Sequence, residues 1–151
     1  MTDYIATRWY RSPEVLLGSP NYGKPCDIWA FGCTIVELYI GKPAFPGQST
    51  LNQIARIIEV TGLPTELELA RLGSPLTYNM FQTLDVPKNH KTIRELVKSD
   101  DPQLLDLLGK IFVFVPENRI TIEKILKHPY LSEHHDEALE YKNNKRVQYD
   151  G

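Results

Sequence analysis

The chain has 151 residues, 42% hydrophobic and 24% charged, with a formal net charge of −2. That length has room for one domain with one sizeable core, and the composition is ordinary for a soluble globular protein. The slight acidic balance argues against broad nucleic-acid binding, which calls for a basic surplus, and no apolar stretch reaches transmembrane length.

Residues Met1 to Pro25 are loop-like, punctuated by Pro13, Gly18, Pro20, Gly23 and Pro25. A short helix fits over Pro13 to Leu17, because proline is tolerated in the first helical turn. The only early apolar run, Val15-Leu16-Leu17, is too short for a secretory signal. Asp27 to Tyr39 is predicted helical. Ile28, Trp29, Phe31, Cys33, Ile35, Val36, Leu38 and Tyr39 cover most of its circumference, which predicts a buried, central helix. Gly41 and Pro43 end it. The two cysteines, Cys26 and Cys33, would lie near one helical face, about 10 Å apart along the axis. That is too far for a disulfide, so they are expected to be buried thiols in a reducing compartment.

A second helix is predicted from Thr50, with Gln53 completing a capping box and Leu51, Ile54, Ala55, Ile57 and Ile58 forming one apolar stripe. Gly62 and Pro64 stop it. Thr65 to Lys98 is less regular and predicts short helices joined by loops. Asp101 and Pro102 open a further helix as N-cap and first residue, with the stripe Leu104, Leu105, Leu107, Leu108, Ile111 and Phe112. Thr121 caps a last helix, ending before His128-Pro129. From Ser132 the chain is a charged tail, Glu133, Asp136, Glu137 and Glu140 preceding Lys142, Lys145 and Arg146. No strand alternation and no internal repeat stands out, so the fold class is mainly α.

Four sequence landmarks follow one another. They are Ser12-Pro13-Glu14, Asp27-Ile28-Trp29-Ala30-Phe31-Gly32, the turn Gly41-Lys42-Pro43-Ala44-Phe45-Pro46-Gly47, and Arg119 followed by His128-Pro129-Tyr130. Together they resemble the large lobe of protein kinases. Thr2-Asp3-Tyr4 with Ala6-Thr7-Arg8-Trp9-Tyr10-Arg11 narrows the resemblance to the group holding mitogen-activated, cyclin-dependent and glycogen-synthase kinases, and the Thr-x-Tyr pair to the mitogen-activated type. The resemblance implies the lower part of the large lobe of a kinase-like fold, with a central buried helix and no small-lobe sheet. Residues 1–131 would be a partial kinase domain and 132–151 a charged tail.

By that resemblance Thr2 and Tyr4 are regulatory phosphosites, each gaining roughly −1.5 to −2 charges when modified. Arg8 and Arg11 would receive the phosphate on Tyr4, guanidinium forks suiting phosphate geometry; without the resemblance they are surface arginines beside Asp3. Thr7 resembles the threonine that bonds the catalytic aspartate and lysine, and residues 5–11 resemble the pocket for a proline after the phosphorylated residue. Glu14 and Arg119 resemble a buried ion pair fastening the activation segment to the large lobe. Asp27 is expected both to cap its helix and, in the family, to anchor the catalytic loop. Asp136, Glu137 and Glu140 sit where a docking patch for basic peptides can occur, or form an ordinary solvated run. His128 is expected to be structural, and the adjacent His134 and His135 do not match the helical zinc pair. Val115 and Ser12 are mild departures from the family pattern.

The sequence contains no Gly-rich phosphate loop, strand lysine, His-Arg-Asp loop or Asp-Phe-Gly, the parts that cover the phosphates, supply the base and hold Mg²⁺. No catalytic residue, cofactor contact or metal ligand is therefore assigned; ATP and Mg²⁺ belong to an intact parent. That parent would phosphorylate Ser or Thr followed by Pro, under an upstream dual-specificity kinase, inside the cell in cytoplasm or nucleus, with neither nucleic acid nor membrane as partner. The chain alone is expected to be inactive. The alternatives are a stand-alone, non-catalytic binding module and a fragment of a cyclin-dependent-type kinase.

Overall fold

A computed structural model describes residues 8–19, 23–72, 75–84 and 89–132, and among these all regular structure is helical. Helix α1 (Pro13–Leu16) is a single turn entered from extended Ser12, with proline in its first turn. It is followed by Gly18 at φ 75°, a left-handed conformation that glycine adopts without steric cost.

Helix α2 (Lys24–Ile40) is the longest element. It starts three residues earlier than its sequence suggests, because Pro25 fits the first turn, where its missing N–H costs nothing. Asp27 consequently lies inside that turn. Gly23 occupies the cap position, and no side chain caps the helix, which corrects the expected capping role of Asp27. At the other end Gly41 adopts φ 74° and its N–H bonds the Glu37 carbonyl. The helix is not buried all round. Ile28, Trp29, Gly32, Cys33, Ile35 and Val36 face the core, whereas Phe31, Leu38 and Tyr39 are 40%, 80% and 45% exposed.

Helix α3 (Thr50–Thr61) is capped by Ser49, whose hydroxyl accepts from Asn52 N at 3.1 Å. The expected Thr50–Gln53 box does not form, since the cap lies one residue earlier and Gln53 turns inward to full burial. Ile54, Ile57 and Ile58 are buried, but Leu51, expected in the same stripe, is exposed. Three short helices follow, α4 (Glu66–Arg71), α5 (Pro75–Thr83) and α6 (Ile93–Val97). Thr65 with Glu68 and Thr92 with Glu95 close reciprocal capping boxes on α4 and α6, satisfying backbone donors that helix starts leave open.

Helix α7 (Pro102–Ile111) begins with Asp101 accepting from Gln103 N at 3.0 Å, and buries Leu104, Leu107, Leu108 and Ile111. A 3₁₀ turn (Pro116–Asn118) leads to α8 (Ile122–Leu126), capped by Thr121. Residues 129–132 are helical again, so α8 is not the last helical segment. The core gathers where α2 meets α6 and α7. Trp29, Phe45 and Phe112 form its aromatic centre, with ring centroids 5.0–5.6 Å apart. Gly32 permits this approach, because a Cβ there would lie 2.5 Å from Ile111 Cγ2. Both cysteines are free; Cys33 is buried but Cys26 is only half-buried, because the earlier start of α2 places it in the exposed first turn.

Candidate functional site

The segment from Arg8 to Leu17 is fastened to the helical body at three places. The first is an ion pair between residues 105 positions apart. Arg119 Nη1 donates to Glu14 Oε2 at 2.9 Å and Nη2 to Glu14 Oε1 at 3.0 Å. Both side chains are completely buried. A buried charge pair survives only with excellent geometry and its remaining donors satisfied. Here Arg119 also donates to the carbonyls of Pro25 at 2.8 Å and Val113 at 2.9 and 3.1 Å. Its guanidinium lies 5.1 Å from the Trp29 ring centroid, where the ring face attracts a cation. One side chain thereby ties α1, the start of α2 and the loop after α7.

The second fastening is a buried amide. Gln53 Oε1 accepts from Gly47 N at 2.9 Å and Nε2 donates to the Trp9 carbonyl at 3.5 Å. Trp9 Nε1 donates to the Gly47 carbonyl at 2.8 Å. Gly47 is required for this closeness, since a Cβ there would lie 2.5 Å from Gln53 Cα and Oε1. The third is Tyr10, whose hydroxyl donates to Glu37 Oε1 on α2. That bond to a carboxylate, reinforced by burial, pushes the Tyr10 phenol up to about 12, because ionising it would place two negative charges together.

Arg8 and Arg11 stand half-buried at the start of this fastened segment, Arg11 N donating to the Arg8 carbonyl at 3.1 Å. Thr2, Tyr4 and Thr7 lie outside the described residues, as do Asp136, Glu137, Glu140, His134 and His135. Asp27 is exposed on the first turn of α2, its Oδ1 3.9 Å from Cys26 Sγ. Partial burial, then the Asp27 charge, raises the Cys26 thiol above its ordinary range. Ser12 is completely buried and its hydroxyl has no hydrogen-bond partner among the described residues. His128 is buried between Asp106 Oδ2, 2.7 Å from Nε2, and Tyr130 N, which donates to Nδ1 at 3.0 Å. With Nδ1 accepting, the proton sits on Nε2, so the imidazole is a structural bridge. Lys110 first, and then His128, holds the Asp106 carboxyl below its ordinary range.

Sequence patterns did not disclose Tyr10–Glu37, Gln53–Trp9 or His128–Asp106. Each joins residues 22 to 44 positions apart, and no local spacing signals such a pair. Among the described residues no group of three or more His, Cys, Asp and Glu could hold a metal, and no helix is long and apolar enough to cross a membrane.

The chain belongs to the protein kinase domain family, whose profile matches residues 1–131. Within that family its relatives include mitogen-activated protein kinases. It is 44% identical over 140 residues to extracellular signal-regulated kinase 2 of Dictyostelium discoideum, covering 93% of this chain and 38% of that protein. It is 42% identical over 141 residues to mitogen-activated protein kinase 15 of Xenopus laevis, covering 93% of this chain and 24% of the relative. Among solved structures, a MAP kinase from Leishmania major superposes with a TM-score of 0.77 at 33% identity, covering 86% of this chain and 42% of the other. The chain thus spans less than half the length of these relatives.

Proposed function

We propose that this chain is the lower part of the large lobe of a mitogen-activated, proline-directed Ser/Thr kinase, with residues 1–131 as the partial domain and 132–151 as a charged tail. The observation that carries this is the fully buried Glu14–Arg119 fork, inside a stretch matched end to end by the kinase family. Its role is to hold the segment that follows Thr2 and Tyr4 against the helical body. On this reading Arg8 and Arg11 receive the phosphate on Tyr4, residues 5–11 receive the substrate proline, and Asp27, exposed on α2, anchors the catalytic loop of the intact enzyme. The intact enzyme transfers the γ-phosphate of ATP to Ser or Thr before Pro in protein substrates, after activation by an upstream dual-specificity kinase inside the cell.

On this reading ATP and Mg²⁺ belong to the intact enzyme, and no residue of this chain is assigned to them. The 151 residues lack a Gly-rich loop, a strand lysine and an Asp-Phe-Gly motif, and the described acidic residues form no metal cluster. No catalytic step is therefore assigned to this chain. The test uses the chain with an active dual-specificity MAP kinase kinase and ATP, followed by phosphopeptide mapping. Phosphate on both Thr2 and Tyr4, with no transfer to a Ser-Pro peptide, is expected. Turnover of that peptide by the chain alone overturns the inactivity, and absence of phosphate from both residues overturns the regulatory assignment.

A further inference from the structure

Between the end of α7 and α8 lies an open cleft of about 610 Å³ with an unusual charge balance. In a chain of net charge −2, its walls carry Lys110, Arg119, Lys124 and Lys127 against a single carboxylate, Glu117. Two of the cations are already committed. Arg119 is bound to Glu14, and Lys110 Nζ lies 2.8 Å from Asp106 Oδ2. Lys124 and Lys127 are exposed and have no ion pair among the described residues. Lys124 lies on α8 and Lys127 one residue past its end, over a floor that Ile120 N fixes by donating to the Lys110 carbonyl at 3.0 Å.

We propose that this cleft binds a phosphoserine or phosphothreonine presented on a peptide segment of a partner protein. Two ammonium groups, with the Thr121 hydroxyl and the Asn118 amide on the same walls, give a dianion several donors at once. Charge-assisted bonds to phosphate are about twice as strong as neutral ones. Val113, Ile120 and Pro129 supply an apolar side, which a peptide fills and a free phosphate ion does not. Neither Arg8 nor Arg11 lines the cleft, and the proposal does not depend on phosphoryl transfer by this chain.

The test is fluorescence anisotropy of the full chain with a labelled ten-residue peptide carrying one central phosphoserine between valine and isoleucine. Binding is expected, weakening with added salt as screening shortens to about 8 Å at physiological ionic strength. The exposed pair K124Q/K127Q should weaken it about fivefold to tenfold, the scale of losing two partly exposed charge contacts. K24Q/K42Q, which changes two exposed lysines outside the cleft, should leave it within twofold. Circular dichroism on both variants confirms that they fold alike. Equal binding of the unphosphorylated peptide, equal loss in the two variants, or full competition by millimolar inorganic phosphate at the affinity of the peptide overturns the proposal.

Discussion

At the scale of single residues, the Glu14–Arg119 pair shows why a buried charge is unforgiving. Arg119→Met should destabilise the chain by about 3–5 kcal/mol, because the Glu14 carboxylate stays buried without its partner. The double replacement Glu14→Leu with Arg119→Met should recover much of that loss. Urea titration followed by tryptophan fluorescence reads both, and a single variant as stable as the parent would contradict the geometry. Tyr10 offers a second measurement. Glu37→Gln removes the carboxylate that keeps its phenol near 12, so ultraviolet titration should show one tyrosine moving down toward the ordinary value of about 10. The sign is that of a raised folded-state pKa. The Tyr10–Glu37 contact contributes fully below about pH 10 and is lost as pH rises through about 12. An unchanged titration curve for Glu37→Gln would remove Glu37 as the cause.

At the scale of elements, α2 and α7 meet through a glycine, and that contact can be broken by one carbon. Gly32→Ala places a methyl group 2.5 Å from Ile111 Cγ2 and 3.1 Å from the Phe112 ring. Helix propensity favours alanine over glycine by about 1 kcal/mol, but overpacking a filled core costs typically about 1–3 kcal/mol. A net loss of stability is therefore expected, with a midpoint shift in the same urea titration, and a stabilised variant would show that α7 can slide away. Most helices were legible from sequence: the stripe of α7, its Asp101 cap and the glycine stops after α2 and α3 are all local signals. The errors were local as well. Ser49 and Thr50 are adjacent candidate caps, and only the chain direction into α3 selects Ser49. Asp27 looks like a cap until Pro25 is allowed inside the first turn. The capping boxes of α4 and α6 were present as Thr-x-x-Glu spacings, Thr65 with Glu68 and Thr92 with Glu95, within a stretch whose apolar pattern is too weak to mark a helix. Of the candidate site, the residue types stood in the sequence, but the partners Gln53, Glu37 and Asp106 did not. Their pairings arise only when α2, α3 and α7 are packed.

For the whole molecule, the decisive feature is the outer face of α2. The expectation of a helix apolar all round is met on one side only by protein, since Phe31 and Leu38 are exposed and flank exposed Thr34. Positions seven apart share a helical face about 10 Å along the axis. A helix with leucine 80% exposed on that face has apolar surface that burial would stabilise by about 25 cal/mol per Å². On the proposed function that surface belongs against the remainder of the kinase, and in this chain it meets solvent. The isolated chain should therefore bind a hydrophobic dye under native conditions and be poorly soluble, because exposed apolar patches favour association. Leu38→Lys should reduce dye fluorescence markedly. Leu67→Lys, which changes a leucine 67% exposed on α4, should reduce it less, because Leu67 is remote from the Phe31–Leu38 stripe in sequence and sits on a separate six-residue helix. A sharp cooperative melt with no dye fluorescence would mean that the stripe is covered in solution, and equal effects of the two substitutions would place the dye elsewhere. Either result would detach the exposed face of α2 from the proposed origin of the chain in a larger kinase, leaving the buried Glu14–Arg119 fork as its independent support.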